Sequence, residues 1–229
     1  MGETEKERIT GSQLRGPYLR LTFTWAKHKD VEPNPCDLYI PQALAETLQI
    51  IQEIGYSTVN RACILHFDGT IDALAEWIFA PTDQSGAEVV QEVIRDINEF
   101  LDLYYVAVQL DIEVLMNSAV DALINTCTET APDFELVAPI LDPRNELEYD
   151  KSMLKIDDEF NRLKDVMYAA LAKHWLLGPD RVPFDELAWE FVKDSGLEKE
   201  IMEAANQGAD LKDKCKFHVH KNTKKCDPA

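Results

Sequence analysis

Leu103-Tyr104-Tyr105-Val106-Ala107-Val108-Gln109-Leu110-Asp111-Ile112 is the stretch on which the fold turns. Read backwards, Tyr104 and Leu101 continue an apolar stripe through Ile97, Val93 and Val90, at the three-and-four spacing of a helix face. Ser85 and Glu88 stand three apart ahead of that stripe, the spacing of a capping box. One long helix is therefore expected from about Gly86 to Val108. Read forwards, Asp111 stands where a second helix would be capped, with Ile112, Leu115, Ala119 and Leu123 on its apolar face. The two helices would meet in a tight hairpin around Leu110-Asp111.

Upstream, Tyr18-Leu19-Arg20-Leu21-Thr22-Phe23-Thr24 alternates and is rich in strand formers, so a strand is expected. Lys27 to Pro35 reads as a charged loop. Pro41 suits the first turn of a helix that carries Leu44, Leu48 and Ile51 and stops near Gly55. Cys63-Ile64-Leu65-His66-Phe67 reads as a buried strand ending at the turn signal Asp68-Gly69. Ile71, Leu74 and Ile78 then form a short helix with Thr70 as N-cap. Downstream, Pro132, Pro139 and Pro143 mark a linker. Ile156, Phe160, Leu163, Met167, Leu171 and His174 share one helix face, ended by Gly178-Pro179. Two shorter helices are expected at 184–193 and 197–206, with Gly196 and Gly208 as stops. The fold class is thus α+β, predominantly α-helical, with strands early and helices late.

Composition narrows the function classes. The chain has 229 residues, 45% of them hydrophobic, and a formal net charge of -19. Such an acidic surface repels phosphate backbones and anionic lipid, so neither nucleic acid nor membrane is an expected partner. No apolar run has the length to cross a bilayer. Met1-Gly2-Glu3-Thr4-Glu5-Lys6-Glu7 is polar and has no apolar signal core, and Lys6 stands where myristoylation would want Ser or Thr. The expected location is intracellular, cytoplasmic or nuclear. Scattered Cys36, Cys63 and Cys127 then read as reduced thiols.

Four residues near the end carry metal chemistry on paper. Cys215, His218, His220 and Cys226 supply two thiolates and two imidazoles, a complete tetrahedral zinc set. Their spacing belongs to no standard finger. The competing reading is a basic tail, built on Lys212, Lys214, Lys216, Lys221, Lys224 and Lys225, whose cysteines are incidental. A second chemical motif is His66-Phe67-Asp68-Gly69-Thr70. Haloacid-dehalogenase-type phosphatases use Asp-x-Asp-Gly-Thr after a buried strand, with the first Asp as nucleophile. His66 occupies that position here, and a strand-to-helix turn is the simpler account. His174, beside Trp175, reads as a packed core histidine. No Gly-rich phosphate loop, Gly-x-Ser-x-Gly elbow or His-Glu-x-x-His helix occurs.

Taken in order, several of these segments resemble the second half of a BTB/POZ domain. Ala75-Glu76-Trp77-Ile78-Phe79, following Leu65-His66-Phe67-Asp68, is similar to that family's Trp-hydrophobic-aromatic helix. Leu103-Tyr104-Tyr105-Val106-Ala107, Leu110-Asp111-Ile112 and Leu115-Met116-Asn117 are similar to its later Leu-Tyr-x-x-Ala, Leu-x-Ile and Leu-x-Asn patterns, and Ala119 to Leu123 fits as well. Many fungal members continue into a helical extension and a Cys-x-x-His-x-His-like tail, which Cys215 to His220 resembles. No clean Ser-x-x-Phe is present in the first half. The resemblance implies a tail at 1–16, a BTB/POZ-like domain at 17–128, a helical extension at 129–207 and a basic Cys/His tail at 208–229. It implies a non-enzymatic adaptor or scaffold that self-associates or links a partner to a cullin-type ubiquitin ligase. The alternatives are a degenerate phosphatase around Asp68-Gly69-Thr70 and a small zinc-dependent binding protein acting through the tail.

Overall fold

The computed structural model describes residues 18–24, 36–47, 57–60, 67–80, 85–94, 97–132, 141, 157–177, 186–208 and 210–220. The fold is α+β and mainly helical, with eight α-helices and three short strands among the described residues. The chain divides into two compact units, one of residues 1–119 with 219–227 and the other of 120–218 with 228–229.

The first unit opens with a three-stranded sheet in the order β2-β1-β3. Strand β1 (Tyr18–Thr24) pairs antiparallel with β2 (Cys36–Pro41), placing Leu21 opposite Leu38. It pairs in parallel with β3 (Ser57–Asn60), and β2 and the helix after it supply the crossover a parallel pair requires. Alternation works as a pleat demands: Ile40 is fully buried, while neighbouring Tyr39 is 54% exposed. Helix α1 (Gln42–Thr47) starts one residue after Pro41, which ends β2 instead of opening the helix. The expected continuation through Leu48 and Ile51, the loop at 27–35 and the strand at 63–66 lie outside the described residues.

Helix α2 (Phe67–Phe79) begins four residues earlier than expected. Phe67 is helical, so it closes no strand, and Thr70 sits inside the helix and is buried instead of capping it. Its Oγ1 lacks a hydrogen-bond partner. The long helix expected after Ser85 is two helices, α3 (Gly86–Val93) and α4 (Ile97–Gln109). The capping box is formed as read: Glu88 N donates to Ser85 Oγ at 3.2 Å and Ser85 N donates to Glu88 Oε2 at 3.1 Å. The break comes at Ile94, whose backbone turns extended (φ -77, ψ 134) while its N–H still donates to Val90 O at 2.9 Å. Because Ile94 is itself buried, packing rewards the break, and no Gly or Pro marks it.

Helix α4 is buried on every side from Phe100 to Ala107. A helix buried around its circumference belongs at the centre of a core even though it carries the buried Asp102, and α2 packs against both α3 and α4. The turn after α4 is a Schellman motif. Ile112 N donates to Ala107 O at 2.9 Å and Asp111 N to Val108 O at 3.1 Å, with Asp111 in the left-handed region at φ 52. Asp111 thus ends α4 and does not cap α5 (Glu113–Glu129). The apolar positions Ile112, Leu115, Ala119 and Leu123 are all buried as expected.

In the second unit, helix α6 (Asp157–Leu171) runs into a π-helical segment, Ala172–Leu177. Helices α7 (Glu186–Ser195) and α8 (Glu198–Asn206) follow, and α6 packs against α8 around Leu163, Val166, Met167 and Ile201. Gly196 ends α7 as read from the sequence. At φ 77 it forms a second Schellman motif, with Leu197 N on Val192 O at 3.0 Å. Gly208, at φ 86, ends α8, its N–H donating to Ala205 O at 2.9 Å.

Candidate functional site

Of the four tail residues singled out from sequence, the three that are described fall in different settings. Cys215 is the middle of a single 3-10 turn, Lys214–Lys216, is half-buried and forms no disulfide among the described residues. His218 is buried, and its Nε2–H donates to Asp121 Oδ1 at 2.9 Å. That bond fixes the ring's tautomer and orientation. His220 is half-buried, and Cys226 lies outside the described residues. Among the described residues, no three His, Cys, Asp or Glu side chains gather as a metal-ligand set.

Around His218 the second unit builds a polar seat for the segment from Leu211 to His218. Helix α5 presents Asp121 and Asn125 one turn apart, since residues four apart share a helix face. Lys214 Nζ donates to Asn125 Oδ1 at 3.1 Å and lies 3.6 Å from Asp121 Oδ1. Arg162, on α6, donates to the main-chain carbonyl of His218. Lys216 Nζ donates to Gln207 Oε1 at 2.9 Å and stands 5.5 Å from the centre of the Phe217 ring. Leu211 and Phe217 are buried, the latter 1% exposed. Lys214 and Lys216, taken from sequence as part of a basic tail, are thus held in place. The signal for this seat was present in Leu211, Phe217 and Val219, apolar residues spaced through a lysine-rich run.

In the first unit, Asn117 treats Val219 as a neighbouring strand would. Its Nδ2 donates to Val219 O at 3.0 Å, and Val219 N donates to its Oδ1 at 2.8 Å. The amide thereby satisfies both backbone groups of one residue, across 102 positions of sequence.

One of the motif segments that carry the resemblance, Ala75–Phe79, is tied to α5 in the same unit. Trp77 Nε1 donates to Ser118 Oγ at 3.2 Å, and Ser118 Oγ donates to Val114 O at 2.8 Å. Gly86 sits on this pair. A Cβ there would lie 2.3 Å from Ser118 Oγ and 2.8 Å from Trp77 Nε1.

His174 does what a packed histidine does. Its Nε2–H donates to Cys127 O at 2.6 Å, and Lys173 Nζ donates to Thr128 O at 3.3 Å. Both carbonyls belong to the last turn of α5, where intrahelical partners run out. The wider π turn rotates each residue by less, so two successive side chains reach one helix end, where the Lys173 ammonium also suits its dipole. Burial pushes the Cys127 thiol up to about 12, and Lys173 only partly offsets it. The backbone over Asp68, Gly69 and Thr70 is the first turn of α2, so these three do not form the loop that a phosphatase of the type considered would place after its strand.

No family model, curated protein or solved structure matches this chain.

Proposed function

We propose that the chain is a non-enzymatic protein-interaction module of BTB/POZ-like build, which bridges a bound partner to a cullin-type scaffold. The observation that carries the reading is an ordering: a small opening sheet, β2-β1-β3, followed by a helical layer in which α2, α3 and α4 pack together. The resemblance expects opening strands in the region where this sheet stands. Its motif residues Trp77, Leu103, Tyr104, Ala107, Leu110, Ile112, Leu115, Ala119 and Leu123 are buried, as residues that specify a packed domain are. Such a domain works through grooves between helices and through strand edges.

No helix among the described residues is long and apolar enough to cross a membrane. Affinity purification of the tagged full-length chain from its own cell extract tests the reading. Reproducible recovery of a cullin-type scaffold is expected. Repeated purification without one, from extract in which the scaffold is detected, contradicts the bridging role.

A further inference from the structure

The segment Leu211–His218 is held in the second unit as a bound peptide is held. It has two buried apolar anchors, Leu211 and Phe217, and a set of polar contacts around them. Beyond one 3-10 turn it has no regular structure among the described residues, and no ladder ties it to the fold. Its polar side chains meet helix α5: Lys214 Nζ donates to Asn125 Oδ1 at 3.1 Å and lies 3.6 Å from Asp121 Oδ1, and His218 Nε2 donates to the same carboxylate oxygen at 2.9 Å. Arg162 reads the segment's main chain, at the carbonyl of His218. Apolar anchors inside a polar rim are the anatomy of peptide recognition.

We propose that the surface formed by Asp121, Asn125 and Arg162 is a docking site for an extended basic peptide carrying Lys-x-x-Phe-His, and that the chain's own Leu211–His218 is its resident occupant in cis. Charge complementarity selects the occupant: the Lys214 ammonium lies 3.6 Å from the Asp121 carboxylate, on a chain whose formal net charge is -19. The segment enters directly after Gly208, whose left-handed backbone (φ 86) ends α8 and frees the chain to change direction. A partner bearing the same pattern competes with the tail, so the tail sets the threshold concentration for binding. This inference does not depend on the BTB-like reading, because the seat lies on the second half of α5 and on α6.

The test uses the full chain and a fluorescent peptide of residues 210–221 with Cys215→Ser, measured by anisotropy. Three chains are compared: the natural one, an opened one (Lys214→Ala, Phe217→Ala, His218→Ala), and the opened one with Asp121→Ala added. Saturable binding to the opened chain, at least about tenfold tighter than to the natural chain and lost on adding Asp121→Ala, is expected. Binding to the opened chain no tighter than to the natural chain overturns the proposal, as does tight binding that survives Asp121→Ala. Loss of a cooperative melt in the opened chain overturns it as well, because the segment would then be core and not a ligand.

Discussion

At the scale of single residues, Gly86 is the position with the sharpest consequence. Its α-carbon faces the Trp77–Ser118 hydrogen bond so closely that one methyl group has no room. Gly86→Ala should cost about 1–3 kcal/mol, the usual penalty for forcing an atom into a packed interior. Ser118→Ala should cost a comparable ~1–3 kcal/mol by a different route, leaving the buried Trp77 N–H without its acceptor. Since both act on one contact, the double variant should lose less than the two losses added, which urea melts of the three variants measure. The sequence showed Trp77 as an aromatic motif residue, but nothing in it could place Gly86 or Ser118 against the ring. That requires knowing how α2, α3 and α5 come together.

Cysteine reactivity separates residues in the same way. Burial holds the Cys127 thiol protonated to about 12, whereas Cys215 is half-buried on its 3-10 turn. Alkylation of the native protein at pH 8, followed by peptide mapping, should modify Cys215 well before Cys127, with Cys127 joining only on unfolding. Cys127, which reads from sequence as a reduced thiol, is buried. His218 reads from sequence as a zinc-ligand candidate. Its bond to Asp121 joins residues 97 positions apart, a distance no spacing rule inspects.

At the scale of elements, local signals were legible where the chemistry is local. Ser85 and Glu88 form the box their spacing announced, because a capping box closes within one turn. Ser85→Ala should cost about 1 kcal/mol by removing the acceptor for Glu88 N, and thermal melts should show the loss. Gly196 and Gly208 ended helices as read, since the left-handed backbone there suits glycine. Asp111 shows the limit. An aspartate between two apolar helices suits both an N-cap and a helix-ending left-handed turn, and only the backbone tells which. Ile94 shows another. The stripe from Val90 to Tyr104 keeps its helical period across a break that nothing in the composition marks, because buried packing made it. The π segment at Ala172–Leu177 was invisible for the same reason: its wide turn serves two carbonyls at the far end of α5.

At the scale of the whole molecule, the overall class was the easiest part to read. Strands early and helices late is a property of hydrophobic period alone, and it survives errors of several residues at each boundary. What did not show was how the late basic run is used, because a lysine-rich segment looks solvated until its few apolar residues find a surface. Global stability should also respond to alkali in a set direction. The Tyr168 phenol is pushed up to about 12 by burial and then by Glu200 and Asp165, and Cys127 reaches about 12 by burial. Their ordinary values are 10.0 and 9.0, so the unfolded chain releases both protons first. The stabilisation from keeping them is complete below pH 9.0 and falls away as the pH approaches 12. Denaturant midpoints measured from pH 8 to 11 should therefore fall, and Tyr168→Phe should flatten the part of that fall above pH 10.

We propose that this chain works by binding protein, as an adaptor to a cullin-type scaffold. Mixing the purified full-length chain with a purified cullin-type scaffold, and following the mixture by size-exclusion chromatography with light scattering, tests it most directly. A co-eluting complex of defined stoichiometry at micromolar concentration is expected. Two components that elute separately at their own masses, with the chain folded and cooperative in its melt, would contradict it.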